Sequence, residues 1–473
     1  MPPTNLAVAI VSGDHDALPQ SALAGWLGSQ RWFGSKSRAV SGLNVLDVIV
    51  LRDGDPVVAI VLVEARYDAG THELYQVPIA VRPVSDGWTT GVIYSTEQHV
   101  AYDALLDTSA AAVFAGEFAK STTLERPQGC VRFHWDEATA TAPIALASMQ
   151  PMGTEQSNSS VILDERLVLK VFRRIEPGTN PEVELLRFLA AHEFSAIAPL
   201  AGWYGYTGDL MDATLGVMQS YVGGARDGWL LALDALAGDD PTFLDQVGEL
   251  GVITGQMHAT LASDASDPDF APDDPTDETV SLLTATVDEE IERIFFDLPA
   301  DVAAIAPIVG RGEEVRDHLQ TLTRMVLGGK LIRVHGDFHL GQTVYGPEGW
   351  VVLDFEGEPG RPLHTRRRKR SPLRDVAGML RSFAYASAAA VLLRGASVSA
   401  AWEAEARERF LAGYMAHIDP AVLPSGRPAI DKLLAVFELE RAIYELRYEL
   451  NNRPDWIEIP VQCITRLLEQ PPE

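Results

Sequence analysis

A chain of 473 residues with 47% hydrophobic and 22% charged residues is long enough for two or three domains with sizeable cores. Its net charge of -28, from 38 basic and 66 acidic side chains, excludes a general nucleic-acid binder, which would carry a basic footprint. Only Cys130 and Cys463 could pair, no basic stretch with an apolar core opens the chain, and no apolar run approaches roughly 18 residues, so a cytoplasmic protein with no membrane or nucleic-acid partner is expected.

In chain order, residues 1–90 read as a small α+β unit. A short helix around Leu23–Leu27 leads into Gln30-Arg-Trp-Phe-Gly34, and three strands follow, Leu46–Leu51, Val57–Val63 and Leu74–Val81, separated by Asp-Gly or Gly turns. Residues 91–145 mix a helix near Tyr102–Phe118 with strand candidates such as Cys130–His134. Residues 146–222 carry strand, turn, strand, helix and strand, and from 223 onward the pattern is mainly helical, interrupted by hairpins. The expected division is 1–90, 91–222 and 223–473. The Pro-containing acidic stretch Asp264 to Asp277 reads as a surface loop. The run Arg366-Arg-Arg-Lys-Arg370 reads either as a solvated loop or as a positive rim that offsets the acidic field around phosphates.

The most informative segment is His335-Gly-Asp-Phe-His-Leu-Gly-Gln342, followed by Val351-Val-Leu-Asp-Phe-Glu356. Asp337 precedes the amide Gln342 by five positions, the spacing of a kinase catalytic loop, in which the Asp orients the acceptor hydroxyl and the amide holds magnesium. A hairpin turn, Gly346-Pro-Glu-Gly349, and an apolar strand, Trp350 to Leu353, then deliver Asp354 as a second metal-binding carboxylate, with Glu356 as a lesser candidate. His335 is placed on the acceptor side, chiefly as the residue that orients the loop. Arg374 and Asp375 are expected to brace the loop from a helix start, and His258 to be a core histidine.

A kinase also needs a strand lysine near the phosphates, held by a helix carboxylate. Lys170 in Leu167-Val-Leu-Lys-Val-Phe172 fits, because an unpaired charge inside an apolar strand would be costly. The following helix, with Asn180-Pro181 as its start, offers Glu184 as the partner and Glu182 as the alternative. Ahead of the strand, the 153–160 loop has a single glycine, so Ser157, Asn158 and Ser159 with backbone amides are the candidates for cradling ATP phosphates. Gln219 and Tyr221, before Gly223-Gly224, stand where a kinase hinge would meet adenine. No GxxxxGK[ST] pattern occurs, which excludes P-loop kinases.

With these pieces assembled, the chain resembles the aminoglycoside-phosphotransferase branch of the protein-kinase-like superfamily, and within it the actinobacterial maltokinases. The resemblance rests on Gln30-Arg-Trp-Phe33, HGDFHLGQ at 335–342, DFEGEP at 354–359, SPLRDVAGMLRSF at 371–383 and YELRYELNNRPDW at 444–456. It implies an α+β, bilobal protein-kinase-like fold with an N-terminal α/β cap subdomain and a mainly helical C-lobe. It implies ATP and Mg2+ as cofactors, Asp337 as the catalytic carboxylate, and Gln342 and Asp354 as magnesium ligands. The implied reaction is phosphorylation of maltose at its anomeric hydroxyl to maltose 1-phosphate, feeding glycogen and other α-glucan synthesis from trehalose, beside a trehalose synthase. One departure is Ala384, where relatives often carry a polar residue; it bears on the acceptor. The alternatives are a kinase for another sugar or amino sugar such as glucosamine, an antibiotic kinase, or a non-catalytic kinase-like scaffold.

The acceptor side is expected on the C-terminal helix. Leu439, Ile443, Leu446 and Leu450 form an apolar stripe for the core. On another face, Glu440, Tyr444, Arg447 and Asn451 recur at helical spacing, with Tyr448 four residues from Tyr444. Tyrosine rings can cover the C–H faces of a sugar while Arg and Asn bind its hydroxyls, and Trp456 could close the pocket.

Overall fold

The computed structural model describes residues 5–34, 38–137, 146–152, 158–238, 240–299, 302–323, 328–358 and 360–469. The chain divides into two compact units, residues 1–187 with 198–223, and residues 188–197 with 224–473.

The first unit is built on two antiparallel sheets. Among the described residues the first sheet has six strands: Val40–Arg52, Val57–Tyr67, His72–Pro83, His99–Asp103 and Val92–Ser95 in spatial order, with Arg174–Ile175 added beside Leu74 and Tyr75. Strand Val57–Tyr67 is apolar at nearly every position because both of its faces are covered. Val57, Ala59, Val61 and Val63 meet the N-terminal helices through Leu23, Trp26 and Leu27. Val58, Ile60 and Leu62 meet helix Thr108–Ala119 through Phe114 and Phe118, each of which contributes about 1.5–3 kcal/mol by leaving water. Tyr102 is therefore a strand residue, not the start of that helix. The helix begins at Thr108 because Asp107 caps it, accepting the Ser109 N–H at 2.9 Å.

The second sheet has seven strands among the described residues, in the order Thr123–Arg126, Gly129–Trp135, Leu200–Gly208, Asp212–Ser220, Leu167–Phe172, Asn158–Leu163 and Met149–Pro151. Two buried polar side chains key it to the first sheet. Gln76 donates to the carbonyls of Phe172 (2.8 Å) and Leu215 and accepts from the Tyr204 hydroxyl at 3.0 Å. Arg173, 1% exposed, lies 2.5 Å from Asp103, donates to Ser159 Oγ at 2.8 Å and stacks over Trp32. Both cysteines are free.

The second unit is mainly helical. Its small sheet joins Arg226–Asp227, Thr343–Gly346 and Gly349–Val352. Helix Leu373–Arg394 packs on the long helix Arg427–Asn452. Leu439, Ile443 and Leu446 are completely buried, against Val287, Ile291, Val315 and Ile464, while Leu450 is partly covered. Helix Leu373–Arg394 is long and apolar enough to cross a membrane, but 61% of its apolar window is buried within the protein, as in a core helix. The acidic stretch meets the basic run: Lys369 Nζ lies 3.1 Å from Asp273, Arg367 reaches Asp269 at 4.0 Å, and Lys330 pairs with Asp274 at 2.6 Å. Much of the basic run is thus spent on internal ion pairs.

Candidate active site

The candidate catalytic loop, residues 335–342, is held from below. Asp375, 2% exposed near the start of helix Leu373–Arg394, accepts the N–H groups of His335 (2.8 Å) and Gly336 (2.9 Å). His258 Nε2 lies 3.1 Å from the same carboxylate, and the Tyr414 hydroxyl is 3.2 Å from His258 Nδ1. Burial alone would raise the Asp375 pKa, but the bond to His258 and the backbone donors hold it below the usual aspartate value. Asp375 and His258 therefore act structurally, as the sequence suggested. Arg374 does not brace the loop; it pairs with Glu440 at 2.6 Å. Gly336 (φ 86°) tolerates close passage of the chain: a Cβ there would sit 3.2 Å from the Gly357 Cα.

His335 is 1% exposed, its Nε2 lying 2.8 Å from the Leu353 carbonyl and its Nδ1 accepting the Asp337 N–H at 3.4 Å. A ring spent in this way orients the loop and does not line the candidate acceptor pocket, which corrects its assignment to substrate binding.

That pocket is a shallow, open cleft beside the loop. Asp337 and Phe338 form one wall, and Phe437, Glu440, Arg441 and Tyr444 of the long C-terminal helix form another. Every carboxylate on its lining has a partner. Arg441 Nη2 is 3.2 Å from Asp337 Oδ1, Arg361 pairs with Glu358, Arg374 with Glu440, and Asp375 is engaged as described. Burial works against the Arg441 charge, but Asp337 and then Glu445 raise its pKa above the ordinary arginine value. His339 Nε2 stands 4.0 Å from Asp337 Oδ2; burial lowers its pKa, opposed by Asp337 and reinforced by Arg441.

The structure brings Glu440 and Tyr444 to this pocket but not the rest of the expected sugar face. Arg447 pairs with Glu290 at 2.5 Å, Asn451 Nδ2 donates to the Arg447 carbonyl, and Tyr448 is exposed. Trp456 stacks on Tyr385 with ring centroids 6.1 Å apart. The loop meets the helix one to two turns before Arg447 and Asn451, at Phe437, Glu440, Arg441 and Tyr444, an i, i+3, i+4, i+7 stripe of the same helix. Ala384 is buried and off the pocket lining.

On the nucleotide side, within the first unit, Lys170 is 5% exposed and its Nζ lies 2.9 Å from Glu182 Oε2. Glu182, not Glu184, faces the lysine. Asn180 accepts the Glu182 N–H at 2.9 Å and sets the first turn, and Glu184 is turned about 200° around the helix from Glu182. Asn158 is buried on the neighbouring strand, and Ser159 is tied to Arg173; Ser157 lies outside the described residues. Gln219 stands in the ladder between Val168 and Leu200, and Tyr221 donates its N–H to Arg166 at 2.8 Å, so neither offers the free backbone N–H expected of an adenine hinge.

The expected metal ligands suit a hard cation. The Leu353 N–H donates to the Gln342 carbonyl at 2.9 Å, drawing Gln342 to the end of the hairpin strand. Asp354 follows in the left-handed region (φ 61°), an uncommon conformation that aims a strand-end carboxylate and recurs at functional sites. Asp354 and Glu356 can each place a carboxylate oxygen within 4.8 Å of the other. One amide oxygen and one or two carboxylates match magnesium, which keeps water and phosphate oxygens as its other ligands.

Residues 148–428 match the model of the phosphotransferase enzyme family, and residues 26–107 match the maltokinase N-terminal cap domain. A glucosamine kinase of Streptacidiphilus jiangxiensis is 29% identical over 332 residues, covering 67% of this chain and 72% of that protein. A second, from Mycolicibacterium smegmatis, is 26% identical over 341 residues, covering 68% and 80%. The solved structure of a glucosamine kinase with glucosamine, ADP and inorganic phosphate superposes with a TM-score of 0.67 at 22% identity, over 94% of this chain and 98% of that one, a likeness of fold.

Proposed function

The chain belongs to the phosphotransferase enzyme family, and from that premise we propose that it transfers the γ-phosphoryl group of ATP to the anomeric hydroxyl of maltose, giving maltose 1-phosphate. The observation that carries the reading is the pocket at Asp337, where Phe437 and Tyr444 offer apolar faces and each carboxylate is already matched by a cation or a donor set. Such a lining suits a neutral polyhydroxylated acceptor, because arginines and donors already balance its carboxylates and leave little negative charge to attract an ammonium group. The cap-domain match supports the same sugar.

In this mechanism Asp337 accepts a hydrogen bond from the acceptor hydroxyl and aims its oxygen at the γ-phosphorus. The new O–P bond forms as the bond to the β,γ-bridging oxygen breaks. ADP leaves, and the hydroxyl proton passes to Asp337 and then to solvent. Lys170, held by Glu182, neutralises phosphate charge on the nucleotide side. Gln342 and Asp354 would hold magnesium, which when bound neutralises charge on the phosphate oxygens. The product would feed α-glucan synthesis, and co-purification tests association with a trehalose synthase.

The second reading is an amino-sugar kinase, favoured by the two glucosamine kinases among the relatives. An ATP-consumption assay with magnesium across maltose, glucose, glucosamine, trehalose and an aminoglycoside, with NMR of the product, separates them. Phosphate on the anomeric carbon of maltose is expected. Turnover confined to glucosamine would replace the acceptor and keep the kinase.

A further inference from the structure

We infer that Arg441 is the positioning residue for Asp337, the end of a chain of alternating charges that runs from the interior of the second unit to the carboxylate that receives the acceptor. The inference rests on the kinase reading above, but not on which sugar is the acceptor. Arg381, 2% exposed on helix Leu373–Arg394, grips one oxygen of Glu445 with Nε at 3.1 Å and Nη2 at 2.8 Å. The other oxygen, Glu445 Oε1, lies 3.7 Å from Arg441 Nε, and Arg441 Nη2 lies 3.2 Å from Asp337 Oδ1. Arg441 and Glu445 are one turn apart on the same helix, so the helix itself sets their spacing.

The geometry assigns different work to the two oxygens of Asp337. Oδ1 is occupied by the guanidinium, whereas Oδ2 is left toward His339 at 4.0 Å and the pocket. A carboxylate pinned at one oxygen cannot turn freely about its last torsion, so the other oxygen keeps one aim. Aim matters more than basicity here, since the transition state of phosphoryl transfer is loose and asks the protein for positioning. A planar, forked guanidinium can hold Asp337 through Nη2 and face Glu445 through Nε at once; a lysine ammonium is one point charge and can serve one of them well. Phe437 and Tyr444 flank Arg441 on its helix, and the Tyr444 ring centroid lies 5.6 Å from the guanidinium carbon, which further restricts it.

The test uses the full chain and whichever acceptor the wild type turns over best. Arg441→Met should lower kcat by about 100-fold, the cost of misplacing a reacting group by roughly 1 Å, with KM for ATP unchanged. Arg441→Lys should recover part of that loss. Glu445→Gln leaves the pocket lining intact and should lower kcat by about fivefold through Arg441, at unchanged KM for both substrates. A kcat for Arg441→Met near the wild-type value, a loss confined to acceptor KM, or no rescue by lysine would overturn the inference while leaving the kinase standing. If Arg441→Met does not fold, the lysine and Glu445 variants decide by the same kcat-against-KM split. A wild type inert toward every acceptor would overturn both.

Discussion

Lys170 Nζ lies 2.9 Å from Glu182 Oε2, and both side chains are almost wholly buried, at 6% and 1% exposure. A pair like this contributes little net stability when intact and costs much when halved, because the survivor is a charge left without water. Glu182→Ala should therefore lower the unfolding free energy by about 3–5 kcal/mol and weaken ATP binding. Glu184→Ala should cost about 1 kcal/mol, the ordinary effect of a point change. Urea melts and nucleotide titration of the two variants check this, and a larger effect at Glu184 would reverse the assignment.

Asp337→Asn keeps the shape of the loop and removes the charge that orients the acceptor in the proposed mechanism. Turnover should fall by about 10²–10⁴-fold with ATP binding intact. Single-turnover kinetics beside calorimetric ATP titration separate the two, and near-normal turnover would remove Asp337 from the mechanism.

Gln76 answers two backbone carbonyls and one tyrosine hydroxyl inside the first unit. Gln76→Leu preserves volume but leaves those groups without partners, at about 1–3 kcal/mol for each group that cannot find water. Tyr204→Phe removes only one of these bonds and should cost about 1 kcal/mol. Thermal unfolding of the single and double variants would show a strongly non-additive pair.

Asp375 makes stability depend on pH at the acid end. Its folded pKa lies below the usual aspartate value of about 3.9, so the unfolded chain binds the proton more readily. The contribution is fully present above that ordinary value and is lost as pH falls through the lower folded value. Melting temperature should therefore drop as pH is taken from about 5 to about 3. Asp375→Asn should be less stable at pH 7 and show a shallower acid slope.

Much of the candidate site was legible along the chain, because it sits in short, locally ordered segments. Asp337, Gln342 and Asp354 are spaced by one loop and one hairpin, and the apolar run Leu167–Phe172 announces a strand in which Lys170 needs a partner. Helical periodicity exposed the buried stripe Leu439, Ile443 and Leu446. Three-dimensional packing decided the rest. Choosing Glu182 over Glu184 depends on how the helix start is rotated by its cap, and two residues of rotation exchange the inner face for the outer one. Placing the candidate acceptor pocket at Phe437, Arg441 and Tyr444, with Arg447 and Trp456 left out, depends on where a loop a hundred residues away crosses the helix. Periodicity reports which residues share a face, but not which stretch of that face a distant segment will cover, because that is settled by contacts between residues far apart in the chain.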